Sequence, residues 1–195
     1  MENNIIIQEA NNDVSFKEIK EVMTKAHEAA KNDKLSFPTS SLSIENLKEI
    51  TEKGGKWFLA ICNKKIVGTI FCEKQNKKSW YHTGEAIVMK YVAVLPEYSG
   101  RHIVSKLYNS VFEYAKKIGI NICIMSMSEF NYHHQHVAEK NGFILIDFFA
   151  VKKLKNYTLS YAYWIDKNCP YSNKKIKVMI AIRKMKAKIK RIIYR

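Results

Sequence analysis

The chain has 195 residues, 47% of them hydrophobic, enough for one domain with a substantial core. Its 26% charged and 12% aromatic residues exclude an intrinsically disordered protein. No run of ~18 apolar residues provides a membrane-spanning helix. The formal net charge of +15 is unevenly placed: residues 174–195 hold ten Lys/Arg and no acid, leaving 23 basic against 18 acidic residues, or +5, over residues 1–173.

The opening MENNIIIQEANNDVSF lacks the basic and apolar regions of a signal peptide. Cys62, Cys72, Cys123 and Cys169 are widely spaced with no C-x-x-C pair, so free thiols in a reducing, cytoplasmic setting are expected. Residues 4–8 read as a strand, and Phe16, Ile19, Val22, Met23 and Ala26 recur at helical spacing to about Ala30. Ser41 or Ser43 caps a second helix carrying Ile44, Leu47 and Ile50, which ends before Gly54-Gly55. A hairpin follows, WFLAICN and IVGTIFCEK, and then an apolar strand over 86–95 that stops at Pro96. A helix from about Ile103 to Ile118, the strand ICIMSM, a helix over about Asn131–Lys140 and the strands FILIDFFA and YTLSYAYWI complete residues 1–168. Hairpins mixed with strand–helix–strand crossovers predict an α/β (α+β) fold, a mixed sheet with helices on both faces.

The stretch from Val92 to Leu107 runs a buried strand through Pro96-Glu97-Tyr98-Ser99-Gly100-Arg101-His102 into a helix. A helix start offers unpaired N–H groups and the positive end of its dipole, so it suits a phosphate; an ordinary strand-to-helix connection fits the same residues. The stretch resembles the acetyl-CoA-binding motif of the GNAT N-acetyltransferase superfamily, an apolar strand, V-x-P-E-Y and then [QR]-x-x-G-x-[GA]. Val94, Pro96, Glu97, Tyr98, Gly100, Ile103 and Leu107 match the surrounding pattern. Asn131 and Glu139-Lys140-Asn141-Gly142-Phe143 resemble the family's N-x-x-A-x-x-Φ-Y-E-K-x-G-F, and the element order agrees from about residue 4 to 165.

The resemblance implies a central mixed, mostly antiparallel sheet and acetyl-CoA as co-substrate. It implies that the backbone of Val92, Ala93 and Val94 holds the pantetheine arm. Ser99, Gly100, Arg101, His102, Ile103, Val104 and Ser105 would wrap the pyrophosphate, with Asn131 beside them. An acceptor amine would then attack the thioester directly, the acceptor being read through variable loops: residues 30–43 and the neighbourhoods of Trp80 and Tyr157. Four positions depart from the pattern. Ser99 replaces [QR], and His102 and Val104 stand where small residues are usual. Ala138 occupies the place of a tyrosine that protonates the leaving thiolate in many members, and Tyr132 is the nearest substitute in sequence. Glu85, ahead of the splayed strand, is the expected base, with His82 and Glu129 as further candidates. His133, His134 and His136 cluster on one helix without His-Glu-x-x-His spacing or a cysteine partner, so no metal is expected; they fit an acceptor pocket or a solvated face equally.

Over residues 169–195, Val178, Ile182, Met185, Ile189 and Ile192 advance by four, three, four and three, the stripe of a basic amphipathic helix. Three partners fit such a helix: its own domain or a second subunit, as in a homodimer, or an anionic membrane surface. Nucleic acid fits the charge but finds few aromatic residues to stack on. The sequence therefore leads to an acetyl-CoA-dependent N-acetyltransferase of an unidentified amine, cytoplasmic or peripheral to a membrane. The rivals are a GNAT-fold binding module without efficient catalysis and a nucleic-acid-binding protein.

Overall fold

A run such as Trp57–Cys62, apolar at every position, makes sense only where both faces of a strand are covered. The computed structural model, which describes residues 4–11, 13–30, 42–151 and 156–193, places it there. Strand β2 (Lys56–Cys62) lies between β1 (Ile6–Glu9) and β3 (Lys65–Lys78). Its odd residues Trp57 and Leu59 face helices α1 (Phe16–Ala30) and α2 (Ile44–Glu52). Its even residues Phe58, Ala60 and Cys62 face α3 (Ile103–Lys117) on the other side. The sheet continues through β4 (Thr83–Val94), β5 (Ile122–Ser128), β7 (Tyr157–Trp164) and β6 (Ile144–Ala150), the last strand reached after α4 (Tyr132–Lys140). All pairings are antiparallel except β4 with β5, giving the mixed, mostly antiparallel sheet with helices on both faces.

Ser43 is the cap of α2: its hydroxyl accepts from the N–H of Asn46, and the Asn46 side chain returns a bond to the Ser43 N–H. Ser41 and the rest of residues 31–41 lie outside the described residues. The hairpin of β3 and β4 is longer than its apolar pattern suggests. Asn76–Lys78 pairs with Thr83–Glu85 as a polar extension held by its main-chain ladder.

The feature that shapes the site is a bulge in β4. Thr69 pairs with Ala93 but Phe71 with Lys90, so β4 carries one residue more than β3 across that step. Tyr91 absorbs it with φ +53. Ile87 and Met89 before the bulge, and Val92 and Val94 after it, therefore all face the α3 side, odd positions giving way to even. Pairing of β4 with β5 covers only Ile87–Met89, so the strands part where the bulge begins.

The C-terminal helix α5 (Asn173–Ile193) packs chiefly on β6. Of the partners left open for the stripe Val178–Ile192, its own domain is not met by that face. Ile176, Ile180 and Ala187 are the buried positions, and Arg183 makes a two-pronged ion pair with the buried Asp147, at 2.6 and 2.8 Å. Lys184 and Arg191 lie over the rings of Phe148 and Tyr157. The docked face thus joins two isoleucines and a small alanine to a charge-assisted ion pair.

Candidate active site

Where β4 leaves β5, a cleft of about 810 Å³ opens between the second half of β4, the start of α3, the C-terminal turn of α1 and one face of α4. Val92, Ala93 and Val94 form its strand wall, and this half of β4 pairs with β3 alone. Ser99, Gly100, His102, Ile103, Val104 and Ser105 form the wall opposite, and Asn131 joins them from the cap of α4. Ten of the eleven residues expected to bind the cofactor thus meet at one cleft. Arg101 is the exception, its guanidinium lying 5.1 Å from the centre of the Tyr98 ring.

The start of α3 is open to a ligand. Its cap residue, His102, makes no side-chain capping bond. The first intrahelical bond at this end runs from the Lys106 N–H to the His102 carbonyl, so the N–H groups of Ile103, Val104 and Ser105 precede the ladder. Gly100 (φ +77) and His102 (φ +56) both adopt the left-handed region. The backbone therefore keeps at His102 the turn for which glycine is usually used, and the substitution adds a side chain without changing the path of the loop. Val104 narrows the cleft from the first turn of the helix.

Among the described residues the lining contains no Asp or Glu but includes Lys140 and five histidines, His27, His102, His133, His134 and His136, a balance suited to an anion. Burial lowers the pKa of His134 to about 4, with smaller contributions from the charges of His133 and His27. Burial likewise lowers His27 to about 4, opposed by a hydrogen bond to the backbone of Val92. Both are neutral at pH 7. The Nε2 of His134 lies 3.0 Å from the Tyr108 hydroxyl, and Tyr108, fully buried on α3, has its own pKa raised by burial.

These depressions fix a pH dependence. Between about pH 6.5 and 4 the unfolded chain binds protons at His27 and His134 that the folded chain does not. Stability is complete above the unfolded value and is lost as pH falls toward the folded one. Each unit is worth about 1.4 kcal/mol, and water reaching the cleft reduces that, so a loss of about 2–3 kcal/mol over the window is expected. Urea unfolding across this range checks it: a double His27→Gln, His134→Gln variant should flatten the slope, and an unchanged slope would refute the assignment.

The four residues considered for moving protons do not line the cleft. Glu85 stands on the paired half of β4, bonded to Lys74 at 2.8 Å; it precedes Val92 by seven residues, about 23 Å along a strand. His82 lies in the turn between β3 and β4 with its Nε2 2.9 Å from the Glu85 carbonyl oxygen. Tyr132 is exposed and turns its ring edge toward Phe130. Glu129 accepts a bond from the Tyr157 N–H at 2.8 Å. Ala138 is fully buried, one turn beyond His134 on α4. His27 and Tyr108 were not singled out by the sequence. The available signal for Tyr108 was its helical spacing from Val104, Val111 and Ala115, since a buried tyrosine hydroxyl needs a partner. Among the described residues no group of three or more His, Cys, Asp or Glu is placed to hold a metal ion.

A sheet splayed at a bulged strand, with an open helix start in the gap, defines a protein built to take an elongated ligand with an anionic part. The chain belongs to the acetyltransferase (GNAT) family, whose model matches residues 17–143. An N-acetyltransferase of Staphylococcus aureus Mu50 has the same fold, with a TM-score of 0.67 at 18% identity, over 84% of this chain and 99% of that one. A Salmonella typhimurium protein determined with its cofactor acetyl-CoA superposes at a TM-score of 0.62 and 13% identity, over 84% of this chain and 95% of that one. A ribosomal-protein alanine N-acetyltransferase of Escherichia coli gives 0.61 at 14% identity, over 83% and 94%. No curated protein matches the chain in sequence. Among the described residues no helix is long and apolar enough to cross a membrane.

Proposed function

We propose that the chain is an acetyl-CoA-dependent N-acetyltransferase whose co-substrate occupies the cleft at the β4–β5 opening. The observation that carries this is the convergence of a strand edge at Val92–Val94, left unpaired by β5, with the uncapped start of α3 in a cleft whose described lining holds no acid. The strand edge suits the amide-bearing pantetheine arm, and the N–H groups of Ile103, Val104 and Ser105 suit its pyrophosphate. The thioester is then delivered beside α4. The acceptor nitrogen attacks the thioester carbonyl carbon, the C–S bond breaks, and the ammonium proton passes to the leaving thiolate.

His134 is the group we assign to that transfer. It is neutral, lines the cleft and is bonded to Tyr108, one turn before the position at which Ala138 offers no proton. A weakly basic imidazole takes the proton only fleetingly and passes it to a thiolate of pKa roughly 8.5, a downhill transfer overall. Bound phosphates raise the histidine's proton affinity further. Release of free thiol from acetyl-CoA, screened over small amines and peptide N-termini, tests the function. His134→Gln is expected to slow turnover about tenfold, below the usual general-acid–base range because a thiolate leaves readily, with acetyl-CoA affinity unchanged. Equal loss of affinity would make His134 a binding residue; undiminished turnover would remove it from the mechanism.

A further inference from the structure

Helix α5 is amphipathic twice over. Its docked face, Ile176, Ile180, Arg183 and Ala187, lies against β6. Directly opposite, at helical spacing, Val178, Met185, Ile189 and Ile192 are 51%, 59%, 53% and 72% exposed. They form an outward apolar stripe on a helix about 30 Å long. At 100° per residue, Lys177 and Lys188 flank the stripe on one side and Lys175 and Lys186 on the other. No acid occurs between Asn173 and Ile193.

From this arrangement we infer that α5 is a membrane-docking surface that lies in the headgroup region of an anionic bilayer. An apolar stripe between two rows of lysine matches that interface: the stripe enters the acyl boundary while the lysine stems reach sideways to lipid phosphates. The charge pattern disfavours the other occupants. A second copy meeting this face about a two-fold axis would bring lysine rows together with no acid on the helix to answer them. A nucleic acid would satisfy the lysines but leave four large apolar side chains against a polar backbone. The docked face keeps the helix on the domain while its outer face is engaged, so binding needs no refolding of β6.

The test is co-sedimentation of the full chain with vesicles of phosphatidylcholine alone or mixed with phosphatidylglycerol. Binding to the mixed vesicles is expected to exceed that to the neutral ones by about tenfold or more, and to weaken with added salt. Replacing Val178, Met185 and Ile189 by Ser removes about tenfold or more, while the melting temperature stays unchanged because the stripe makes no buried contact. Replacing Lys177, Lys186 and Lys188 by Gln costs about fivefold per lysine on the mixed vesicles only. Absence of binding, equal binding to both vesicles, or full binding by the stripe variant would overturn the inference. So would a dimer seen by light scattering that the stripe variant dissolves, or retention on RNA in place of vesicles.

Discussion

Ser105→Glu is expected to weaken acetyl-CoA binding about 100-fold while leaving the fold as stable as before, or more so. Ser105 is the third residue of α3, counted from its cap His102, and lines the cleft. A glutamate there sits where the helix dipole favours negative charge, a change usually stabilising by about 0.3–1 kcal/mol. The same carboxylate stands at the helix start assigned to the pyrophosphate and repels it. A unit charge about 5 Å away costs about 3 kcal/mol at an effective dielectric near 20, or about two orders of magnitude in affinity. Opposite signs for stability and affinity separate this outcome from general damage. Thermal melting and calorimetric titration on one preparation measure both. Unchanged affinity would place the phosphates elsewhere.

Gly55→Ala should cost about 3 kcal/mol or more, lowering the melting temperature by about 6–12 °C. A Cβ at this position would lie 2.1 Å from Cζ of Phe71 and 2.7 Å from the Ile50 carbonyl oxygen. Phe71 cannot yield easily: it is fully buried, with ring centres 5.0 Å from Trp57 and 5.7 Å from Tyr91. Tyr91 is the residue that carries the β4 bulge, so displacement of Phe71 should also disturb the cleft wall and weaken acetyl-CoA binding. Adding Phe71→Leu to Gly55→Ala makes room for the methyl group and should recover part of the loss. If the single variant melts like the parent, the packing described around Gly55 is wrong.

The cleft walls were legible in the sequence because each is contiguous. Val92–Ser105 runs along one strand, one turn and one helix start, and Pro96 and Gly100 mark the joins. Groups brought together from distant elements were not legible. His27 looks like a polar residue at the end of an amphipathic helix, and only folding sets it beside Val92. The bulge was hidden for a related reason. With both faces of β4 covered, AIVMKYVAVL reads as one apolar run, so the change from odd to even inward positions leaves no trace in the pattern. A tyrosine with positive φ carries no sequence signal comparable to glycine. In α5 the periodicity selected the larger side chains, whereas docking uses Ala187 and an Arg183–Asp147 ion pair that hydrophobicity does not register. The placement of β7 between β5 and β6 likewise depends on pairing that no local pattern encodes.

Thermal melting of the full chain against acetyl-CoA concentration tests the central claim most directly. A ligand held by the folded state alone stabilises it by RT ln(1+[L]/Kd), about 2.7 kcal/mol at a hundredfold excess over Kd. For a chain of this size that predicts a rise of about 5–10 °C, growing with the logarithm of concentration. The rise should be displaced to higher concentrations by Ser105→Glu. A melting temperature that stays constant up to millimolar acetyl-CoA, or a rise that Ser105→Glu leaves untouched, would contradict the assignment of this cleft.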